Sequence, residues 1–441
     1  MKSIRLASVL TFLCGATSPS LGAGDDGFVP LFNGKDLDGW ANVNCAPGTF
    51  TVRGGMIVST GKPTGVLRTE RHYENFILEL EWRHMRPKGN AGLFIWSDSL
   101  PAIGKPFTRA IEVQILDGRN SETHTSHGDV FPIQGATMKP DRPHPSGSQR
   151  CLPSERRARP SPEWNHYRVT AMNGTIKLAV NGKEVSGGSR CVPRKGYICL
   201  ESEGSECHFR NLRIKELPAS NPGPKPEEVA GLDEGFRSLY SGLDLAGWRR
   251  EPGHEGHWKP SDWILDYDGK SEAGDLWTEK EYGDFVLTLD WRFLKRRAKK
   301  VERPVILPDG EYATNDDGSQ KTVEVLDAGD SGIYLRGSSK SQVNIWCWPV
   351  GSGEVYGYRN DRRMPPEVRA GVTPTERADR PIGQWNRFVI TMNGERLTVV
   401  LNGRKVIDRA RLPGIKPRGP IALQHHGDAI QFANVYVKEL D

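Results

Sequence analysis

In 163-EWNHYRVTAMNGTIKLAVNGKEV-185, apolar and polar residues alternate through HYRVTAM, and TIKLAV runs into an Asn-Gly pair at 181–182. A period of two marks an extended strand with one buried face, and Asn-Gly favours the tight turn that joins antiparallel neighbours. The stretch returns as 384-QWNRFVITMNGERLTVVLNGRKV-406. Working outward, further blocks repeat in the same order. They pair 28-FVPLFNGKDLDGW-40 with 236-FRSLYSGLDLAGW-248, 73-YENFILELEWR-83 with 282-YGDFVLTLDWR-292, and 196-GYICLESEG-204 with 419-GPIALQHHG-427. Ordered repeats of this kind mark a tandem duplication. Between the copies, the Pro-, Gly- and Glu-rich 218-PASNPGPKPEEVAG-231 reads as a linker, which sets a first domain at 26–217 and a second at 232–441. Helical periodicity is nearly absent, so each copy reads as all-β, a two-sheet sandwich.

Composition agrees. Among 441 residues, Gly 49 and Pro 31 suit a turn-rich β protein better than a helical one. The formal charge of +5 is small for this length. The basic runs 295-KRRAKK-300 and 155-ERRARP-160 lack interleaved aromatics and read as solvated loops, so no nucleic-acid partner is expected. No Gly-x-Gly-x-x-Gly follows a strand, which removes a dinucleotide site, and no Gly-x-Ser-x-Gly supports a serine hydrolase.

The N-terminus reads as a secretory signal at 1–23. Lys2 and Arg5 precede the apolar run Leu6 to Leu13, and small residues end near Ala23. Lipidation at Cys14 is the alternative, but Leu13 stands where a small residue should precede a lipidated Cys. The apolar run is too short to span a bilayer, so no transmembrane segment is expected. The expected location is secreted or periplasmic. Export allows disulfides, and one or two bridges are expected within Cys151, Cys191, Cys199 and Cys207, with Cys45 and Cys347 as buried thiols. No feature sets an oligomeric state.

The stretch 109-RAIEVQILDG-118 holds the chemistry. Ile111, Val113 and Ile115 alternate with Glu112 and Gln114, so the polar pair shares one face of a strand. A wet outer face is the plain reading. Against it stand the His-rich loop after the strand and 90-NAGLFIW-96 before it, with Asn90 at one end and Trp96 at the other. A carboxylate, an amide, histidines and an aromatic platform are what a sugar site needs.

These residues resemble a known family. LFNGKDLDGW, NAGLFIW, EVQILD, EWNHYRV, VNGKEV and FRNLRIKEL are similar to the 3-keto-disaccharide hydrolase domain, formerly a domain of unknown function, across both copies. The resemblance implies a concanavalin A-like jelly-roll sandwich and cleavage of glycosides whose sugar carries a 3-keto group. A ketone acidifies the neighbouring C–H, so a base can remove that proton, the glycosidic oxygen leaves, and water adds. Such chemistry needs a base, an acid and a holder for the enolate charge. Glu112 and His127 are the candidates for proton transfer, with Gln114, Asp117, Asp129, Asn90 and Trp96 orienting the sugar, the base or a bound cation. Two-carboxylate hydrolysis is the competing chemistry. No motif demands a cofactor. His124, His127 and Asp129 have the chemistry to hold a divalent cation, and the plain alternative is a loop held by side-chain hydrogen bonds.

In the second copy, 331-SGIYLRG-337 and 341-SQVNIWCW-348 match the site strands. Gln342 there replaces Glu112, and Asn344 replaces Gln114. An amide bonds hydroxyls but cannot act as a general base. The second copy therefore reads as a sugar-binding or supporting module, with Arg336, Gln342, Asn344 and Trp346 as its candidates. The rival for the whole chain is a non-catalytic carbohydrate-binding or cell-surface interaction protein.

Overall fold

The computed structural model describes residues 26–117, 127–270, 272 and 274–440. The expected signal at 1–23, Cys14 and His124 lie outside the described residues. The chain forms two all-β, jelly-roll sandwiches in tandem. Strands between Val29 and Glu216 make a nine-stranded and a six-stranded sheet. Strands between Arg237 and Glu439 make an eight-stranded and a four-stranded sheet, with a two-stranded hairpin (Lys299–Pro304 and Thr322–Asp327) beside them. The α-helices Tyr356–Arg359 and Pro366–Gly371 both lie in the second copy.

The opening stretch folds as its pattern dictates. Asn165–Met172 pairs with Thr175–Val180, which pairs with Lys183–Val192. Both turns are Asn-Gly with φ of 51° and 72° at Asn173 and Gly174, and 46° and 86° at Asn181 and Gly182. Positive φ at both turn positions matches the right-handed twist of the strands they join, and Asn and Gly tolerate it best. Alternation then sends Tyr167, Val169, Ile176 and Leu178 into the core.

The six-stranded sheet runs Trp40–Val43, Gly65–Thr69, Tyr197–Ser202, Asn90–Ser97, Ala110–Leu116, Val130–Ile133. Its inner face gives Leu67, Ile198, Leu200, Leu93, Ile111, Val113 and Ile115 to the core. Its outer face is divided. Val43, Val66, Phe94, Ala110, Tyr197 and Cys199 pack with Tyr436 of the second copy. Polar bonds tie the same seam: Asn44 Nδ2 donates to Asn434 Oδ1 at 2.8 Å, and Gly104 N donates to Asp290 Oδ2 at 2.8 Å. The two sandwiches are thus docked, and the segment after Leu217 is docked too, since Ala230 N donates to Lys195 O at 2.8 Å. Beyond the seam, the outer face carries Glu112, Gln114 and Glu201.

The six cysteines from Cys45 to Cys347 are all buried free thiols, which corrects the expected bridges between 151 and 207. Cys191, Cys199 and Cys207 sit on strands, where burial pushes the Cys191 and Cys199 thiols up to about 12. Among the described residues no helix is long and apolar enough to cross a membrane.

Candidate active site

Glu112 lies between Ile111 and Val113 on a strand whose odd-numbered residues face the core, so its carboxyl rises from the outer face. The sheet order places Tyr197–Ser202 two strands away, where the same alternation turns Glu201 outward between Leu200 and Ser202. Gly92 stands on the strand between them. A Cβ there would lie 2.7 Å from Glu201 Oε2 and 3.0 Å from Glu112 Oε1. Glycine therefore lets two carboxyls converge over one point of the middle strand, which any side chain would fill. Glu203 joins them at the strand end, where Asn90 Nδ2 donates to its Oε2. Asn90 Oδ1 in turn accepts from Gln114 Nε2 at 3.0 Å. Glu112, Gln114 and Asn90 are thus brought together as their sequence positions predict.

The electrostatics follow from that crowding. Glu112 and Glu201 are 6 % and 1 % exposed. Burial first, then the Glu203 charge, pushes the Glu112 carboxyl up to about 8, while Arg150 pulls it back. Burial, then the charges of Glu112 and Glu203, raises Glu201 well above the carboxylate range. Glu203, less buried and bonded by Asn90, is raised chiefly by burial. Like charges this close cannot all ionise, so protons stay on the cluster at neutral pH. Among the described residues no N–H or O–H donates to Glu201 Oε2.

Around the cluster, Phe131 is opposite Glu112 on the ladder, and the Arg150 guanidinium carbon sits 3.5 Å from its ring centroid. Arg150 Nη1 also pairs with the buried Asp129 at 2.6 Å. From the second copy, Asp262 Oδ1 accepts from Thr64 N at 2.6 Å, and its charge adds to the raising of Glu203.

Other candidates lie elsewhere. His127 N donates to Leu116 O at 2.9 Å, and its ring rests 5.0 Å from that of Trp82, a core residue. It is therefore on the core side of the sheet, opposite Glu112. Asp117 is buried at the strand end, where its Oδ2 accepts from Lys88 N at 3.3 Å. Trp96 is not a platform. Simple alternation puts it on the outer face with Gly92 and Phe94, but the ladder slips between Tyr197 and Cys199, and Trp96 takes φ 57°. That bulge turns the indole into the core, where its N–H donates to Glu74 O at 2.8 Å. Arg336, its counterpart, has φ 49° and is fully buried, donating to Gly283 O and Gly394 O at 2.8 Å each and pairing with Asp284. Trp346 is buried too, stacked on Trp348 at 4.2 Å. Among the described residues no three His, Cys, Asp or Glu stand together to hold a metal ion.

The second copy repeats the frame with different groups. Gly332 pairs with Asn344 and Tyr334 with Gln342, as Gly92 pairs with Gln114 and Phe94 with Glu112. The matched ladders place Gln424 where Glu201 stands and His426 where Glu203 stands. Glu201, Glu203, Arg150 and Phe131 escape a reading of local sequence. The contrast of LESEG with LQHHG in the repeat alignment is the signal that finds the first two.

The family model of the 3-keto-alpha-glucoside-1,2-lyase-like domain matches residues 27–215 and 235–438. The chain belongs to this family. A 3-keto-disaccharide hydrolase of Bacteroides thetaiotaomicron is 23% identical over 245 residues, covering 44% of this chain and 79% of that protein. A Parabacteroides distasonis protein provisionally assigned as a glycosyl hydrolase aligns with TM-score 0.35 and 22% identity, over 44% of this chain and 95% of that one. A β-glucanase of Bacillus licheniformis aligns with TM-score 0.28 and 13% identity, over 43% of this chain and 97% of that one. Family membership and the curated relative indicate a glycosyl hydrolase-like activity.

Proposed function

We propose that the first copy cleaves glycosides whose sugar carries a 3-keto group, by elimination and then hydration, at the Glu112–Glu201–Glu203 cluster. The observation that carries this reading is two buried carboxyls converging over Gly92, Glu112 raised to about 8 and Glu201 also raised well above the carboxylate range. A carboxylate with a raised pKa is a stronger base than an exposed one, and its protonated neighbour is an acid at neutral pH. Glu112 takes the proton from C2, made acidic by the ketone at C3. The C1–O bond breaks, a C1–C2 double bond forms, and Glu201 protonates the departing oxygen. Water then adds its hydroxyl to C1 and a proton returns to C2, which balances as net hydrolysis. Arg150, whose charge already eases ionisation of Glu112, supports the negative charge that builds on the enolate. Asn90 holds the Glu203 carboxyl, Gln114 holds Asn90, and the two amides meet sugar hydroxyls. The divalent cation has no role in this scheme that the described residues supply. We also propose that the chain works after export, to be checked by N-terminal sequencing of the mature protein.

The test compares a 3-keto-disaccharide with its unoxidised parent, using wild type and Glu112→Gln. Monosaccharide release from the keto form alone, lost in the variant, supports the reaction. Equal turnover of both sugars, or an active variant, overturns it.

A further inference from the structure

The outer face of the second copy's four-stranded sheet carries what the first copy's chemistry leaves unexplained. The frame is kept, but Gln342, Gln424 and His426 replace Glu112, Glu201 and Glu203, while Asp330 stands at the place of Asn90. Gln342 Nε2 donates to Gln424 Oε1 at 2.7 Å and to Ser331 O at 3.3 Å. Gln342 occupies the space above Gly332, where a Cβ would come within 2.5 Å of its Nε2. The side chains at positions 112 and 201 have thus become a neutral amide pair that still converges over a glycine. Beside them Asn344 is 1 % exposed, and among the described residues its Nδ2 has no hydrogen-bond partner. A buried amide donor left unmatched costs free energy in the empty protein, and a ligand hydroxyl can recover it.

The apolar half of the face also differs. In the first copy Phe94 is fully buried, its ring edge-on to that of Phe107 with centroids 5.5 Å apart. Its counterpart Tyr334 instead packs with the half-buried Trp277, ring centroids 5.6 Å apart. An indole at the edge of an amide-lined patch is suited to the alternating C–H and hydroxyl faces of a pyranose. Amides both donate and accept, as sugar hydroxyls do, and they abstract no proton.

We propose that this face is a second saccharide site, built from Trp277, Gln342, Gln424 and Asn344, that binds an uncharged, unoxidised sugar without cleaving it. On such a chain, one sandwich holds ordinary glycan while the other reacts with its oxidised form. The class of reaction that must come first is oxidation of a secondary hydroxyl to a ketone.

The experiment is calorimetric titration of the full chain with unoxidised glucose disaccharides, namely sucrose, maltose and trehalose, for wild type, Gln342→Ala and Trp277→Ala. Thermal melting confirms that each variant is folded. The expected result is saturable binding by wild type, weakened about tenfold or more by either substitution. No binding at millimolar sugar, or binding unchanged in both variants, overturns the proposal. Cleavage is not read here, so failure of the reaction proposed above leaves this outcome standing, and the reverse also holds.

Discussion

Replacing Glu112 by Gln should stabilise the protein above neutral pH while removing its chemistry. The carboxyl moves from 4.5 to about 8 in the fold. Each tenfold in proton affinity is about 1.4 kcal/mol, so the full effect comes to about 5 kcal/mol. Its sign follows from linkage. Below about pH 4.5 the group is protonated folded or unfolded and contributes no difference. Between about 4.5 and 8 the unfolded chain releases a proton that the folded one keeps, so stability drains away as pH rises. Gln carries no such burden, and Gln342 already bonds Gln424 at the matching place in the second copy. Part of the gain is lost because the Glu112 repulsion on Glu201 disappears and the cluster redistributes its protons, so roughly 2 kcal/mol is expected near pH 9. For a sandwich of this size that is about 6 °C in Tm. The assay is differential scanning calorimetry of both proteins at about pH 5 and about pH 9, where the gap should open only at the higher pH. Equal gaps at both values, or a variant that melts earlier at the higher one, would refute the buried-carboxylate argument.

Gly92→Ala places a methyl 2.7 Å from Glu201 Oε2 and 3.0 Å from Glu112 Oε1. It should cost about 1–3 kcal/mol in denaturant unfolding and reduce kcat/KM on the keto substrate roughly a hundredfold. Arg150→Met removes the charge that pulls the Glu112 carboxyl down, so the rise of kcat/KM with pH should move to higher pH than in wild type. It also removes the ion pair that Arg150 makes with the buried Asp129 and should lower stability by about 3 kcal/mol in the same unfolding assay. Intact-mass analysis after alkylation in denaturant without reductant should show Cys45, Cys151, Cys191, Cys199, Cys207 and Cys347 all modified; protected pairs would contradict the free thiols.

What could be read in advance follows a physical line. Strand alternation and Asn-Gly turns are local, so the sandwich, the duplication and the outward direction of Glu112 were all legible. Trp96 was misread because alternation assumes an unbroken ladder, and one residue in the left-handed region reverses every side chain's face from there on. His127 was misread because the chain near it passes to the core side of the sheet, a tertiary choice that a loop sequence does not encode. Glu201 and Glu203 sit far along the chain from Glu112, and only strand order makes them neighbours. The disulfide expectation came from compartment chemistry, whereas Cys151, Cys191 and Cys207 are packed as free thiols among the apolar side chains of the core.

The central claim is that Glu112 removes a carbon-bound proton. Cleavage of a 3-keto-disaccharide by the wild-type chain in D2O, followed by NMR of the freed keto-sugar, reads this directly. Deuterium at C2, entering at the rate of cleavage, is the result the account predicts. A freed sugar that keeps its original hydrogen at C2 would contradict it.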